Sequence, residues 1–184
     1  MIEVNLHRVY FIHGNINNID IESLKNDCLK SFEENNRMSK DISDTRNEDL
    51  IIPKSKVFEE LINIIKDKFY IRYDQVIELT NYWAQVHSQN ESTNLHDHVD
   101  CFDIKNSPDL SGVYYLEVPK DSGDIVFQCT INKYNQYKRW WFKPKTGDLL
   151  LFPSTLDHFV TKNTAIKKRI AISFNFKILS NKPN

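Results

Sequence analysis

The stretch from Arg169 to Phe176 alternates strictly, and this pattern restricts the fold more than any other in the chain. Successive side chains of an extended strand project to opposite faces. Arg169, Ala171, Ser173 and Asn175 therefore share one face, and Ile170, Ile172, Phe174 and Phe176 share the other. Four large apolar residues on one face require burial against a second layer. The opposite face is small and polar and begins with an arginine, whereas a solvated face is expected to carry more Lys, Glu or Thr. It reads as the lining of a polar cavity inside a barrel. A buried guanidinium is costly unless it is paired with an anion. Arg169 therefore needs a carboxylate, supplied by the protein or by a ligand.

The rest of the C-terminal part supports a barrel or sandwich. Leu79 to His87, Ser111 to Leu116, Asp124 to Cys129, Arg139 to Phe142, Asp148 to Phe152 and Lys167 to Phe176 read as strands. Pro119 with Gly123, Pro144 with Gly147, and Pro153-Ser154 supply turns between them. About eight short, closely spaced strands favour an antiparallel sandwich or barrel, and eight suit a jelly roll.

The N-terminal part is partly helical. A mixed pattern from Val4 to His13 suits a short edge strand. Asp20 can cap a helix in which Ile21, Leu24, Cys28, Leu29 and Phe32 recur at helical spacing. A second helix is expected from Ser55, with Val57, Phe58, Leu61, Ile62, Ile65 and Phe69 forming one stripe. Both stripes read as faces that pack on the sheet. Between them Asn35 to Asp49 is polar and aperiodic, and reads as a linker, with a substrate lid as the alternative. The expected organisation is one domain over 1–184, with a partly helical support region over 1–75 and the jelly-roll core over 76–178.

Length and charge narrow the function classes. A chain of 184 residues has room for one sizeable core. The net charge of −1 gives no basic excess to hold nucleic acid. Met1 to Asn5 lacks the charged-then-apolar pattern of a signal peptide, and no run approaches the roughly 18 apolar residues of a membrane-spanning helix. Three cysteines, Cys28, Cys101 and Cys129, form no metal-finger spacing. The expectation is a cytoplasmic protein with no nucleic-acid or membrane partner, and a homodimer by default.

Half of the six histidines fall in two places, the cluster His96-Asp97-His98-Val99-Asp100 and the solitary His158, with Arg169 eleven residues further on. On a regular strand His96, His98 and Asp100 would face one spot. His158, beyond the Pro153-Ser154 turn, can return to it from across the barrel. Imidazole and carboxylate from two separated strands, with an arginine beyond, are the parts of a mononuclear iron site that also holds an acidic co-substrate. The plainer alternative makes the cluster a solvated loop and His158 a satisfied core residue. The coincidence of His158 with the cavity-facing Arg169 favours a metal site.

These residues carry a family resemblance. Leu110-Ser111-Gly112-Val113-Tyr114-Tyr115-Leu116, Ser122-Gly123, Gly147 to Ser154, His158 and Arg169 to Asn175 together resemble the 2-oxoglutarate- and Fe(II)-dependent oxygenase superfamily. The likeness is to a group found in bacteria and their phages, prolyl-hydroxylase-like in character, and covers about residues 79 to 177. It implies a double-stranded β-helix, an Fe(II) centre, and 2-oxoglutarate and O2 as co-substrates. The reaction it implies hydroxylates an unidentified prime substrate, such as a prolyl side chain, and releases succinate and CO2.

By the same resemblance His158 matches the distal histidine ligand, and Arg169 the residue that grips the 5-carboxylate of 2-oxoglutarate. Tyr115 matches a tyrosine that hydrogen-bonds the same carboxylate, and Ser173 a small hydroxyl residue beside the co-substrate. Alternation lets only one of Tyr114 and Tyr115 face the site. The proximal ligands stay open: the group's His-x-His matches His96 and His98, while the superfamily's His-x-Asp matches His98 and Asp100. The stretch from Cys101 to Asp109 is longer than is usual in the group.

Two other readings compete, a jelly-roll binding module without turnover and a cupin-like metalloenzyme that does not use 2-oxoglutarate. Arg169 and Tyr115 weigh against the cupin, which has no need to clamp a five-carbon dicarboxylate. Trp140 and Trp141 alternate, so one is expected in the core and the other is free to line a substrate groove, a question that Tyr82 and Trp83 raise as well. Cys101, beside the cluster, is read as a chance thiol rather than a redox-sensitive one.

Overall fold

The computed structural model describes residues 10–38, 52–130 and 137–179. Among these residues the elements run β1 (Ile12–Asn15), α1 (Ile21–Met38), α2 (Lys56–Tyr73), β2 (Val76–His87), β3 (Thr93–His96), β4 (Leu110–Glu117), β5 (Ile125–Thr130), β6 (Tyr137–Phe142), β7 (Asp148–Pro153), β8 (His158–Val160) and β9 (Arg169–Leu179). The strands form two antiparallel sheets, one of five strands ordered β1-β7-β4-β9-β2 and one of four ordered β3-β8-β5-β6.

Both helices begin where a side-chain oxygen satisfies an otherwise unpaired backbone donor. Asp20 Oδ1 accepts the Ser23 N–H at 3.0 Å, and Ser55 Oγ accepts that of Phe58 at 3.3 Å. Helix α2 stops at Asp74, whose φ of 51° is left-handed and whose N–H closes on the Tyr70 carbonyl at 2.8 Å. Its stripe of Phe58, Leu61, Ile62, Ile65 and Phe69 is buried.

The strict alternation of β9 divides the interior in two. Ile170, Ile172, Phe174 and Phe176 join Leu24, Cys28 and the α2 stripe in a core between helices and five-stranded sheet. Ala171, with Val113, Tyr115, Leu150 and Phe152, faces Ile125, Phe127 and Val160 of the four-stranded sheet. Each large side chain so buried contributes roughly 1.5–3 kcal/mol. The result is a jelly roll, two facing sheets with the helices on the outer side of one. Gly112 in β4 marks a close approach, because a Cβ there would collide with the ring of Phe174.

Several expectations are corrected. Helix α1 continues through Met38, past Asn35 where a linker was expected, and 39–49 lie outside the described residues, so the lid alternative does too. The edge strand is β1, later than expected, while residues 4–9 lie outside the described ones. The strand expected to carry His96, His98 and Asp100 is β3, which stops at His96, and the three-residue β8 is too short for a period to register. Neither Trp140 nor Trp141 is core, with 38% and 61% exposure, because β6 is the terminal strand of its sheet. No helix among the described residues is long and apolar enough to cross a membrane.

Candidate metal and co-substrate site

Strand β8 lies between β3 and β5, in a register that sets His158 opposite both His96 and Phe127. His98 reaches the same place by a different route. Strand β3 ends at His96, and beyond it the His98 N–H bonds the Ser154 carbonyl at 2.9 Å, in the turn that follows β7. The imidazole centroids of His96, His98 and His158 lie 4.3–5.2 Å apart, and one nitrogen from each falls within 4.8 Å of the other two.

The hydrogen bonds of the three rings decide where their lone pairs point. His96 Nδ1 lies 2.8 Å from the Asn94 carbonyl, His158 Nδ1 2.9 Å from that of Leu156, and His98 Nδ1 2.8 Å from Asn175 Oδ1. Each oxygen can only accept, so each ring carries its proton on Nδ1 and leaves Nε2 as a free acceptor. His98 Nε2 is buried without a partner among the described residues. Burial holds His98 well below the ordinary imidazole value, to about 4, against the opposing bond to Asn175. His158 is driven the same way by burial and by His96 and His98. Ring nitrogens directed together in this way lack only a cation.

Asp100 is not brought into this group. Because β3 stops at His96, the alternation that would have aimed Asp100 inward does not apply. Its carboxylate accepts the Phe102 N–H at 2.8 Å, and its own N–H bonds Ser107 Oγ at 2.9 Å, so Asp100 opens the loop that returns to β4. Asp97 is likewise exposed and accepts the Val99 N–H at 3.2 Å.

Arg169 begins β9 with 1% exposure. It takes part in none of the ion pairs among the described residues. Nη2 donates to His87 Nδ1 at 2.9 Å, and Nη1 is buried without a partner among the described residues. Tyr115 lies beside it, with the guanidinium carbon 5.8 Å from the phenol ring. Burial pushes the Tyr115 hydroxyl up to about 12, so it stays protonated and able to donate. Tyr114 faces the other way, and its hydroxyl donates to the Ile16 carbonyl at 2.7 Å. Ser173 is buried in the five-stranded sheet between Trp83 of β2 and Val113 of β4.

A cavity of about 890 Å³ opens beside His96 and His98, bounded by β2 and the His96–Asp100 segment. Trp83 lines it with its ring 5.5 Å from that of His98, and Asn81, Gln85 and Asn106 supply amides. Sequence reasoning missed two contributors. The shared face of Asn175 with Arg169 was visible, but its bond to His98 was not. His87, opposite Arg169 across 82 positions of sequence, left no signal at all.

The residues therefore fit a divalent cation and a carboxylate ligand, on the orphaned acceptor of His98 and the orphaned donor of Arg169. A family model described as "Putative 2OG-Fe(II) oxygenase" matches residues 81–175, just over half of the chain. Comparison with curated proteins found no match. Among solved structures, the chain is similar to AviO1 from Streptomyces viridochromogenes Tue57, at 11% identity and a TM-score of 0.66, covering 96% of this chain and 93% of that one. It is also similar to the viral collagen prolyl hydroxylase vCPH from Paramecium Bursaria Chlorella virus-1, at 12% identity and a TM-score of 0.61, covering 97% and 98%. HygX from Streptomyces hygroscopicus, solved with nickel and 2-oxoglutarate bound, is similar at 13% identity and a TM-score of 0.56, covering 92% and 83%. Identities this low speak for the shared fold, whereas the family match spans the strands and turns that carry the histidines and the arginine. The chain belongs to the 2-oxoglutarate- and Fe(II)-dependent oxygenases, non-haem iron enzymes.

Proposed function

We propose that this protein is a dioxygenase that hydroxylates an aliphatic C–H bond, with His96, His98 and His158 holding the iron and Arg169 gripping the 5-carboxylate of 2-oxoglutarate. The observation that carries the proposal is the pairing of two incomplete groups in one interior. Three imidazoles direct free Nε2 acceptors together, and a buried arginine makes no ion pair among the described residues, the Asp124 carboxylate acting on it only through its field. Iron bound there would supply the coupled reaction in which 2-oxoglutarate and O2 give succinate and CO2 while a substrate C–H becomes C–OH.

The chain's own residues prepare that reaction. Three imidazole ligands, with no carboxylate among them, leave the charge of a divalent ion uncompensated, which favours an anionic chelator. Tyr115, kept protonated by burial, donates beside Arg169, and Ser173 walls the co-substrate space with a small hydroxyl. Trp83 offers a flat apolar surface next to His98, against which an aliphatic ring can lie. Asn81, Gln85 and Asn106 can hydrogen-bond the amides of a peptide. A peptidyl proline is accordingly the first substrate to test.

The experiment is anaerobic titration of the metal-free protein with Fe(II) and then 2-oxoglutarate, followed by measurement of succinate released in air. Binding of both and release of succinate are expected. Arg169→Ala should weaken 2-oxoglutarate binding and leave Fe(II) binding in place. Failure to bind or consume 2-oxoglutarate, with peptidyl-proline and other candidates present, overturns the proposal.

A further inference from the structure

His87 and Arg169 lie opposite each other where β2 and β9 pair. The guanidinium can only donate, so at 2.9 Å from its Nη2 the Nδ1 atom of His87 must accept. The ring proton is then on Nε2, which lies 3.0 Å from Thr93 Oγ1 and donates to it. The residue is buried, and its backbone carbonyl accepts from Asn163 Nδ2 at 2.9 Å. Asn163 is itself fully buried in the loop that precedes β9. The imidazole is thus held at its backbone and at both ring nitrogens.

An arginine that must receive a ligand's carboxylate poses a problem of design. Left alone, a long guanidinium side chain has many rotamers to lose on binding. A protein carboxylate beside it would order it but would also neutralise it and compete with the ligand. A neutral imidazole orders it without either penalty. It occupies one Nη2 proton and leaves the charge uncancelled and Nη1 unpaired.

We propose that His87 is the positioning residue of the co-substrate site, a charge-neutral partner whose ring Thr93 holds in place and whose accepting Nδ1 orders Arg169 without neutralising it. The proposal rests on the reading of Arg169 as the carboxylate clamp. His87 acts through Arg169, so its effect falls on the affinity and KM for 2-oxoglutarate more than on kcat or on metal affinity.

The test has two parts. Nitrogen-15 NMR of the metal-free protein should find His87 protonated at Nε2 and bare at Nδ1, and the opposite tautomer would overturn the proposal. Calorimetric titration of the anaerobic Fe(II) protein with 2-oxoglutarate should then find binding about tenfold weaker in His87→Leu, the size of a lost hydrogen bond to a charged group. His87→Asn, whose Oδ1 can take the place of Nδ1, should restore most of that affinity. His87→Asp, which cancels the charge, should bind worse than His87→Leu. Wild-type affinity in either the Leu or the Asp variant would overturn the role of His87. Should the Leu variant not fold, Thr93→Val replaces it, with weaker 2-oxoglutarate binding expected from a less firmly held ring, and an unchanged affinity again counting against the proposal. Arg169→Ala separates the two levels. If it leaves 2-oxoglutarate affinity intact, the clamp reading itself falls; if it abolishes binding while the His87 variants do nothing, only the positioning role does.

Discussion

Asn175 Oδ1 accepts from His98 Nδ1 at 2.8 Å and from Ser111 Oγ at 2.7 Å. Ser111 Oγ lies 2.8 Å from Ser154 Oγ, and the Ser154 carbonyl accepts the His98 N–H at 2.9 Å. The ring is therefore held through its backbone and its Nδ1 by one closed set of buried hydrogen bonds. Partners of this kind, once lost, typically cost 10–100-fold in metal affinity. Asn175→Leu should weaken Co(II) or Zn(II) binding within that range, read by competition with a chromophoric chelator. Unchanged affinity in a folded variant would mean that the bond does not orient the ligand.

The third metal ligand can be settled by a pair of variants. His96 stands with its ring 4.3 Å from that of His158, whereas the Asp100 carboxylate caps its own loop at Phe102. His96→Ala should lose more affinity than the roughly 100-fold upper end for an outer partner. Asp100→Ala should bind the metal nearly as the wild type does. The reverse ordering in the same competition titration would place the carboxylate, and not His96, on the iron.

Most of the sheet was legible because its strands are amphipathic or wholly buried and end at Pro or Gly. Arg169–Phe176 declares its two faces residue by residue, and the structure divides them between two cores as the alternation requires. The end of β3 and the whole of β8 were not legible, because they follow from pairing across the sheet and not from local periodicity. The same cause left the His96-or-Asp100 question open. Whether alternation persists past His96 depends on the bond from His98 to Ser154, a contact made 56 residues away that no local pattern encodes. His87 was invisible for a similar reason, since a histidine near the end of an apolar strand reads as ordinary until its register with Arg169 is known.

Packing in β4 gives a test of the fold alone. A Cβ on Gly112 would strike Phe174, come within 2.6 Å of Leu151 Cδ2 and lie 2.9 Å from the Leu150 carbonyl oxygen, while one on Gly14 would meet nothing within 4 Å. Overpacking of this sort costs about 1–3 kcal/mol, a fall in Tm of roughly 2–12 °C for a chain of this size. Gly112→Ala should show it by thermal melting and Gly14→Ala should not. Equal melting temperatures would mean that β4 and β9 can separate without penalty.

The buried His87 also makes stability depend on pH. Burial, and then the adjacent Arg169, lower its value from 6.5 to about 3. Between these values the unfolded chain binds a proton that the folded one refuses, so stability rises with pH across this window. The contribution is complete above about 6.5 and is lost as the pH falls toward 3, by up to about 1.4 kcal/mol per pH unit. Metal-free wild type should therefore lose stability to urea between pH 6.5 and pH 4.5 faster than His87→Asn, which has no proton to gain at that position. The difference between the two proteins isolates His87 from the other groups that titrate in this range. Parallel losses in the two would mean that His87 accommodates a proton in the folded state, and the neutral pairing with Arg169 would not stand.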